Sequence, residues 1–570
     1  MKIPQMPAKT KLTFLAAGVI LAAASTGLTQ QTTFTRITTG SIVTDQGEFT
    51  VGAWGDFSGH GLLDLFVCNY DNRTNAFYRN NGDGTFTKVT QGDPVRDAGY
   101  HVCPAAADYD NDGYLDLLVS AGIGAPTAQP NILYHNNGDG TFARVSGGGV
   151  TNVVGFFNAC AVADYDNDGF VDLFIPGEGG QGLLFHNKGD GTFSRVLSGS
   201  VPTDTADNTS VSWADYDNDG FMDLIVMNQA SIGRNFLYHN NRNGTFTRIL
   251  TNAVATDAWS AGAWGAAWGD YDNDGLLDLF VTGMETGNRL YHNNGNGVFT
   301  NVTSGPMLSP PPGGGARACA WGDYDNDGYL DLFMCGYNAT NRLFHNNGDG
   351  TFTQVLSGDL VQDSGSHFEC ESCGWVDYDN DGFLDLFVAR LTDNGTLTSS
   401  LLYHNNRNTN AWLEVKLVGT VANRSAIGAK VRMHATVGGK TFWQLREINS
   451  GGGRWIQPLV AHFGLGDATN VDTVRIEWPS GTVQEFHNVA AKQILTITEP
   501  PRLLASATNG VPQFFLKGGR NLQYDIQAST NLETWATIGT MIITNLNGTA
   551  PIADTNAPTV GDRFYRALSH

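Results

Sequence analysis

Between residues 211 and 249 the chain passes through four apolar stretches separated by polar turns. VSWADY runs into an acidic loop, and FMDLIVMN follows that loop. After a variable link comes NFLYHNN, and an Arg-Asn-Gly turn delivers TFTRI. Short runs rich in β-branched and aromatic residues, divided by Asn/Asp-Gly pairs, predict antiparallel strands joined by tight turns. The pattern returns every 51 to 56 residues, which predicts the four-stranded blades of a β-propeller.

Counting the pieces predicts the number of blades. Third-strand pieces occur seven times, at Phe77-Tyr78, Leu133-Tyr134, Leu184-Phe185, Leu237-Tyr238, Leu290-Tyr291, Leu343-Phe344 and Leu402-Tyr403. Fourth-strand pieces also occur seven times, beginning at Phe34, Phe86, Phe142, Phe193, Phe246, Phe299 and Phe352. The first fourth-strand piece has no hairpin partner before it, and the last third-strand piece has none after it. Pairing 34–38 with 401–406 closes the ring and removes an exposed edge. The expected fold is all-β: a seven-bladed propeller over about 31–410, closed by its N-terminal strand.

Composition agrees with this pattern. Gly is abundant at 70 of 570 residues, and only 16% of residues are charged, as in a turn-rich β protein. The net charge of −23 disfavours nucleic acid and anionic membrane surfaces as partners. Lys2, Lys9 and Lys11 precede the apolar run 12–24 and then small residues, the pattern of a signal peptide over 1–25. No later run is apolar for long enough to span a membrane, so a secreted protein, extracellular or periplasmic, is expected. Seven Cys follow the leader, and export permits disulfides among them. Cys160, Cys319 and Cys373 each lie four residues before an acidic loop, a repeated position that suits a small buried group. The Cys370–Cys373 pair has no second pair at zinc spacing.

The acidic loops carry the chemistry. Six copies of DYDNDGxxD begin at Asp108, Asp164, Asp215, Asp270, Asp323 and Asp377. Carboxylates stand at positions one, three, five and nine, and Gly stands at six. The sets are Asp108, Asp110, Asp112 and Asp116; Asp164, Asp166, Asp168 and Asp172; and Asp215, Asp217, Asp219 and Asp223. The others are Asp270, Asp272, Asp274 and Asp278; Asp323, Asp325, Asp327 and Asp331; and Asp377, Asp379, Asp381 and Asp385. Position seven adds a backbone oxygen, from Tyr114, Phe170, Phe221, Leu276, Tyr329 and Phe383 in turn. Such crowding repels unless a hard cation neutralises it, and oxygen ligands around a Gly turn suit Ca²⁺ at about six structural sites. In the first blade the loop reads Asp56-Phe-Ser58-Gly-His60-Gly61-Leu-Leu-Asp64, and its His and Ser predict a weak or empty site.

Repetition also separates structural residues from unique ones. His135, His186, His239, His292, His345 and His404 share one register, as do Trp54, Trp213, Trp268, Trp321 and Trp375. An active site needs one base, so these copies read as structural. The unique residues are His101, Trp259, Trp264, Glu178, Glu285, Arg317, His367, Glu369 and Glu371. Trp259 and Trp264 could stack on sugar rings, and His367 with Glu369 and Glu371 could form an acid–base set. The acidic loops and the Asn-Gly turns fall on one face. The dissimilar links fall on the other, where selective binding is expected.

These repeats resemble the FG-GAP/VCBS family, whose calcium-loop blades also build integrin α-subunit propellers. Residues 411–499 resemble the ASPIC/UnbV module. The likeness rests on Asn410-Ala-Trp412-Leu-Glu-Val415, Asn423-Arg-Ser-Ala-Ile-Gly428-Ala, Ser450-Gly-Gly-Gly453, His462-Phe-Gly-Leu-Gly466 and Glu477-Trp-Pro-Ser-Gly481. Gly453-Arg-Trp-Ile-Gln457 departs from the family's usual Gly-Tyr-x-Ser-Gln. The resemblance implies secreted, calcium-binding proteins, mostly without known enzymatic activity, cartilage acidic protein-like members among them. Residues 500–570 alternate like a small β-sandwich.

Two functions follow from this reading. One is a non-catalytic adhesion or ligand-binding protein whose variable face meets an extracellular protein or glycan. The alternative is a polysaccharide lyase or glycoside hydrolase on the same scaffold.

Overall fold

The computed structural model describes residues 32–569 except 123, 148, 230–232, 285–286, 312–313, 364–367, 393–395, 509–510, 546–547, 553 and 555–562. The predicted leader lies outside these residues. Among the described residues, seven antiparallel four-stranded blades follow one another along the chain, the sixth and seventh joined into one sheet where Tyr337 faces Glu369. The first is built from Phe49–Gly55, Asp64–Asn69, Ala76–Asn80 and Phe86–Lys88. The last takes Phe368–Val376, Asp385–Thr392 and Leu401–Asn405, and its fourth strand is Phe34–Arg36 from the start of the chain. Phe34 faces Asn405, Thr35 faces His404 and Arg36 faces Tyr403. The first strands of consecutive blades are neighbours, and that of the last blade returns to that of the first. There the Ser372 hydroxyl donates to the Thr50 carbonyl at 2.7 Å.

Burial explains the sequence pattern. First and second strands lie between two neighbouring blades, so Phe49–Gly55 and Asp64–Asn69 are buried throughout and read as near-continuous apolar runs. Fourth strands form the outer edge, and only Phe246 of Phe246–Ile249 is buried. The repeated tryptophans are core groups. Trp268, Trp321 and Trp375 stack on Tyr216, Tyr271 and Tyr324 of the preceding blade, with centroids 6.1–6.2 Å apart. All seven cysteines are buried as free thiols.

On the link face, short pairs tie blades together. Arg73–Thr74 pairs with Ala98–Gly99, Gln129–Pro130 with Val154–Gly155, and Gly180–Gln181 with Thr205–Ala206.

Beyond the propeller, Ala411–Val418 lies between Val460–Gly466 and, in parallel, Gln493–Thr498. A four-stranded sheet of Lys440–Glu447, Lys430–Val437, Asn470–Glu477 and Val483–Ala490 shares its core. Two three-stranded sheets follow from Arg502 onward.

The middle module rests on the acidic-loop face. The Ser425 hydroxyl accepts from the Asp108 amide at 2.9 Å, and the Gly466 amide donates to the Asn326 carbonyl at 2.7 Å. Gly464 is required at this contact, because an added Cβ would lie 2.0 Å from the Asp323 carboxylate. Residues 449–457 run down the centre of the ring. Ser450 meets Val162, the Cys103 thiol donates to the Gly453 carbonyl at 3.5 Å, and the Ile456 amide donates to the Cys373 carbonyl at 2.9 Å. The chain thus fills its own channel.

Candidate calcium loops and the channel

In each loop the backbone amides first fold the carboxylates inward. At Asp164 one oxygen accepts from the Asp168 amide and the other from the Gly169 amide, both at 3.0 Å. Asp168 accepts from the Phe170 amide at 2.9 Å. Asp172 accepts from the Tyr165 amide at 3.2 Å and from the Asn187 amide at 2.8 Å, which ties the loop to the third strand.

The position-four asparagines take the left-handed conformation the turn demands, with φ between 56° and 59° at Asn111, Asn167, Asn218, Asn273, Asn326 and Asn380. Their side chains also reach the next blade. Asn111 donates to the Gly169 carbonyl at 2.8 Å, and Asn273 to the Gly328 carbonyl at 3.0 Å.

The carboxylates fit a divalent cation. One position-three oxygen is buried without a hydrogen-bond partner at Asp166, Asp217, Asp272, Asp325 and Asp379. At Asp108, Asp164 and Asp270, burial and then the neighbouring loop carboxylates push the pKa well above the usual carboxylate range. Desolvated anions that crowd one another and leave oxygens unpartnered suit a hard oxygen-seeking ion. The repeated histidines border the same clusters. His186 Nδ1 lies 3.2 Å from Asp172 and 3.3 Å from Asp166. Loop carboxylates and histidines such as Asp166, Asp172 and His186 bring their ligand atoms within 4.8 Å of one another.

The loops are not equivalent. Buried Lys430 of the middle module reaches Asp215 at 2.7 Å, and Arg242 reaches Asp219 at 2.7 Å. Arg407 pairs with Asp381. In the first blade the His60 imidazole lies between the carboxylates, 3.4 Å from Asp56 and 3.8 Å from Asp64. Arg79 replaces the repeated histidine there and donates to the Ser58 hydroxyl at 3.1 Å.

Part of the second predicted site falls on described residues. Trp264, Glu369 and Glu371 meet at the channel, but Arg317 bonds Glu369 at 2.7 Å and also pairs with Glu371. Arg454, from the segment inside the ring, pairs with Glu371 too. Both guanidiniums lie over the Trp264 ring, at 4.9 and 5.1 Å. Among the described residues, these carboxylates are paired with arginines. Trp259 corrects the sugar-platform expectation: it is fully buried, and Arg289 stacks on it at 4.4 Å. His367 and Glu285 lie outside the described residues.

The middle module over the loops and Arg454 in the channel were missed by the sequence reading. The one local signal was the run Ser450-Gly-Gly-Gly453 followed by Arg454. Three glycines permit close backbone approach, and an added Cβ at Gly452 would lie 2.0 Å from the Val211 carbonyl.

Comparison with known proteins adds context. The FG-GAP-like repeat family matches residues 56–119, 123–175, 164–226, 227–281, 270–334 and 323–388. The ASPIC and UnbV family matches residues 419–503. Cartilage acidic protein 1 of Mus musculus is 30% identical over 281 residues, covering 47% of this chain and 41% of that protein. The Homo sapiens protein is 30% identical over 281 residues, 47% of this chain and 40% of that one. The match thus spans well under half the length of these curated relatives. A solved structure of BBS1N in complex with ARL6DN covers 65% of this chain and 95% of its own at 12% identity, with a TM-score of 0.41.

Proposed function

Because the chain belongs to the FG-GAP-like repeat family and carries an ASPIC and UnbV module, we propose that it is an exported, calcium-stabilised binding protein without catalytic activity. Its partner is an extracellular protein or glycan, and the partner meets the link face. The boundaries that go with this reading are a leader over 1–25, a propeller over 31–410, the ASPIC/UnbV module over 411–499 and a small β module over 500–570. Calcium would be held by the Asp carboxylates of the six loops, where it supplies neutralising charge. The chain's own residues do the rest: loop amides orient the carboxylates, and the middle module shields them from water.

One observation carries the reading. The unique carboxylates Glu369 and Glu371 are paired with Arg317 and Arg454, while the acidic loops and their histidines recur blade after blade. The test is to incubate the calcium-loaded protein with glycan and extracellular-protein arrays, and to assay every hit for new reducing ends and unsaturated products. Saturable binding with no product is expected. Turnover that disappears in Glu369→Gln, with the melting curve preserved, would overturn the proposal.

A further inference from the structure

On the link face, just before the first strands Phe49–Gly55 and His101–Ala107, carboxylates gather near two aromatic rings. Tyr70 and Tyr100 meet edge to face with centroids 5.2 Å apart. Tyr70 is held in place from the far side, because an added Cβ at Gly124 would come within 1.7 Å of its hydroxyl. The Tyr100 hydroxyl donates to Asp71 at 3.5 Å. Burial, then Tyr100, Glu48, Asp71 and Glu178, raise the Tyr70 phenol above its usual range, which places three carboxylates around one ring.

Glu48 is the unusual member. It is 7% exposed, and among the described residues its carboxylate has no hydrogen-bond or ion-pair partner. Burial, then Asp71, raise its pKa, with a further upward push from Glu369; Arg73 opposes them. Arg73 itself leans away, toward Asp71 at 3.8 Å. A largely buried carboxylate facing like charge with no protein partner favours a cation drawn from solution. The choice of cation follows from the rings. Aromatic faces beside carboxylates suit a large, weakly hydrated organic cation, whereas a hard metal ion prefers oxygen on every side. The channel of the ring already holds this chemistry, since Arg317 and Arg454 lie over Trp264 while bonded to Glu371.

We propose that this cluster on the link face receives one basic side chain of a partner protein, its guanidinium or ammonium set against Glu48 and the Tyr70 and Tyr100 rings. The inference rests on the binding function above and specifies the chemistry of the partner. It is tested by calorimetric titration of the full chain, in calcium, with a short arginine-containing peptide and with the same peptide carrying norleucine. Spermidine and calcium alone form separate arms. The arginine peptide should bind saturably, about tenfold or more above the norleucine form, and weaken as salt rises. Glu48→Gln, which keeps the shape, and exposed Asp71→Asn should each reduce that preference severalfold.

Equal binding of both peptides, or an unchanged preference in both variants, would overturn the inference. So would spermidine binding as tightly as the peptide, or Glu48→Gln releasing one calcium with peptide binding unaltered. A neutral protein or glycan that binds the link face would sink this inference while leaving the binding function standing. Turnover on such a ligand would sink both.

Discussion

His101 shows how a single buried residue ties stability to pH. It begins the first strand of the second blade and is 2% exposed. Its Nδ1 donates to the Asn75 side-chain oxygen at 2.9 Å, and its ring presses on Gly99, where an added Cβ would lie 2.5 Å from Nε2. No room is left to solvate a second proton. Burial therefore lowers its pKa from 6.5 to about 4, with Asp97 and Arg144 acting in opposite directions. The folded state holds the proton less tightly than the unfolded state, so stability is full above pH 6.5 and declines as pH falls toward about 4. His101→Gln keeps a donor for Asn75 but does not titrate. Urea unfolding across that window should show a steeper acid loss in the wild type than in the variant. Parallel pH profiles would show that His101 is not the group responsible.

At the scale of elements, the segment inside the ring is the contact with the most to lose. Gly452 and Gly453 lie against Ser210 and Val211, and Trp455 bridges Cys373. Gly452→Val would drive a side chain into the Val211 carbonyl, so the segment must shift or leave. A cost of about 2–4 kcal/mol is expected, with new protease cleavage within 449–457 and faster hydrogen exchange in Phe368–Val376. Unchanged cleavage and exchange would mean the segment is not held there. The blades themselves were legible from sequence because each strand, turn and loop is written in one short window and repeated. Ring closure was legible from the unpaired pieces at the two ends. The module's seat was not, because it rests on single long-range pairs such as Lys430 with Asp215 and Ser425 with Asp108. No local period records a contact of that kind. Trp259 and Trp264 make the same point from five residues apart. One is sealed beneath Arg289 and the other meets Arg317 and Arg454, and only the fold decides which arginine each one finds.

For the whole molecule, calcium in the loops under the module would make metal, ring and module one stability problem. At free calcium about ten times a site's dissociation constant, each bound ion stabilises the fold by about 1.4 kcal/mol. Six such sites would contribute about 8 kcal/mol, as much as the net stability of an ordinary domain. The module shares in that dependence, because Ser425, Gly464 and Gly466 contact the loops directly. Stripping the metal should therefore lower the melting temperature sharply. It should also loosen the module from the ring, turning one cooperative calorimetric transition in calcium into two in excess chelator. Lys430 works against complete separation, since its ammonium neutralises Asp215 whether or not calcium is bound. Lys430→Met in chelator should then widen the gap between the two transitions. A melting curve identical with and without chelator, on protein shown by elemental analysis to be metal-free, would remove calcium from the account of this fold. It would leave the buried loop carboxylates with protein cations alone to balance them.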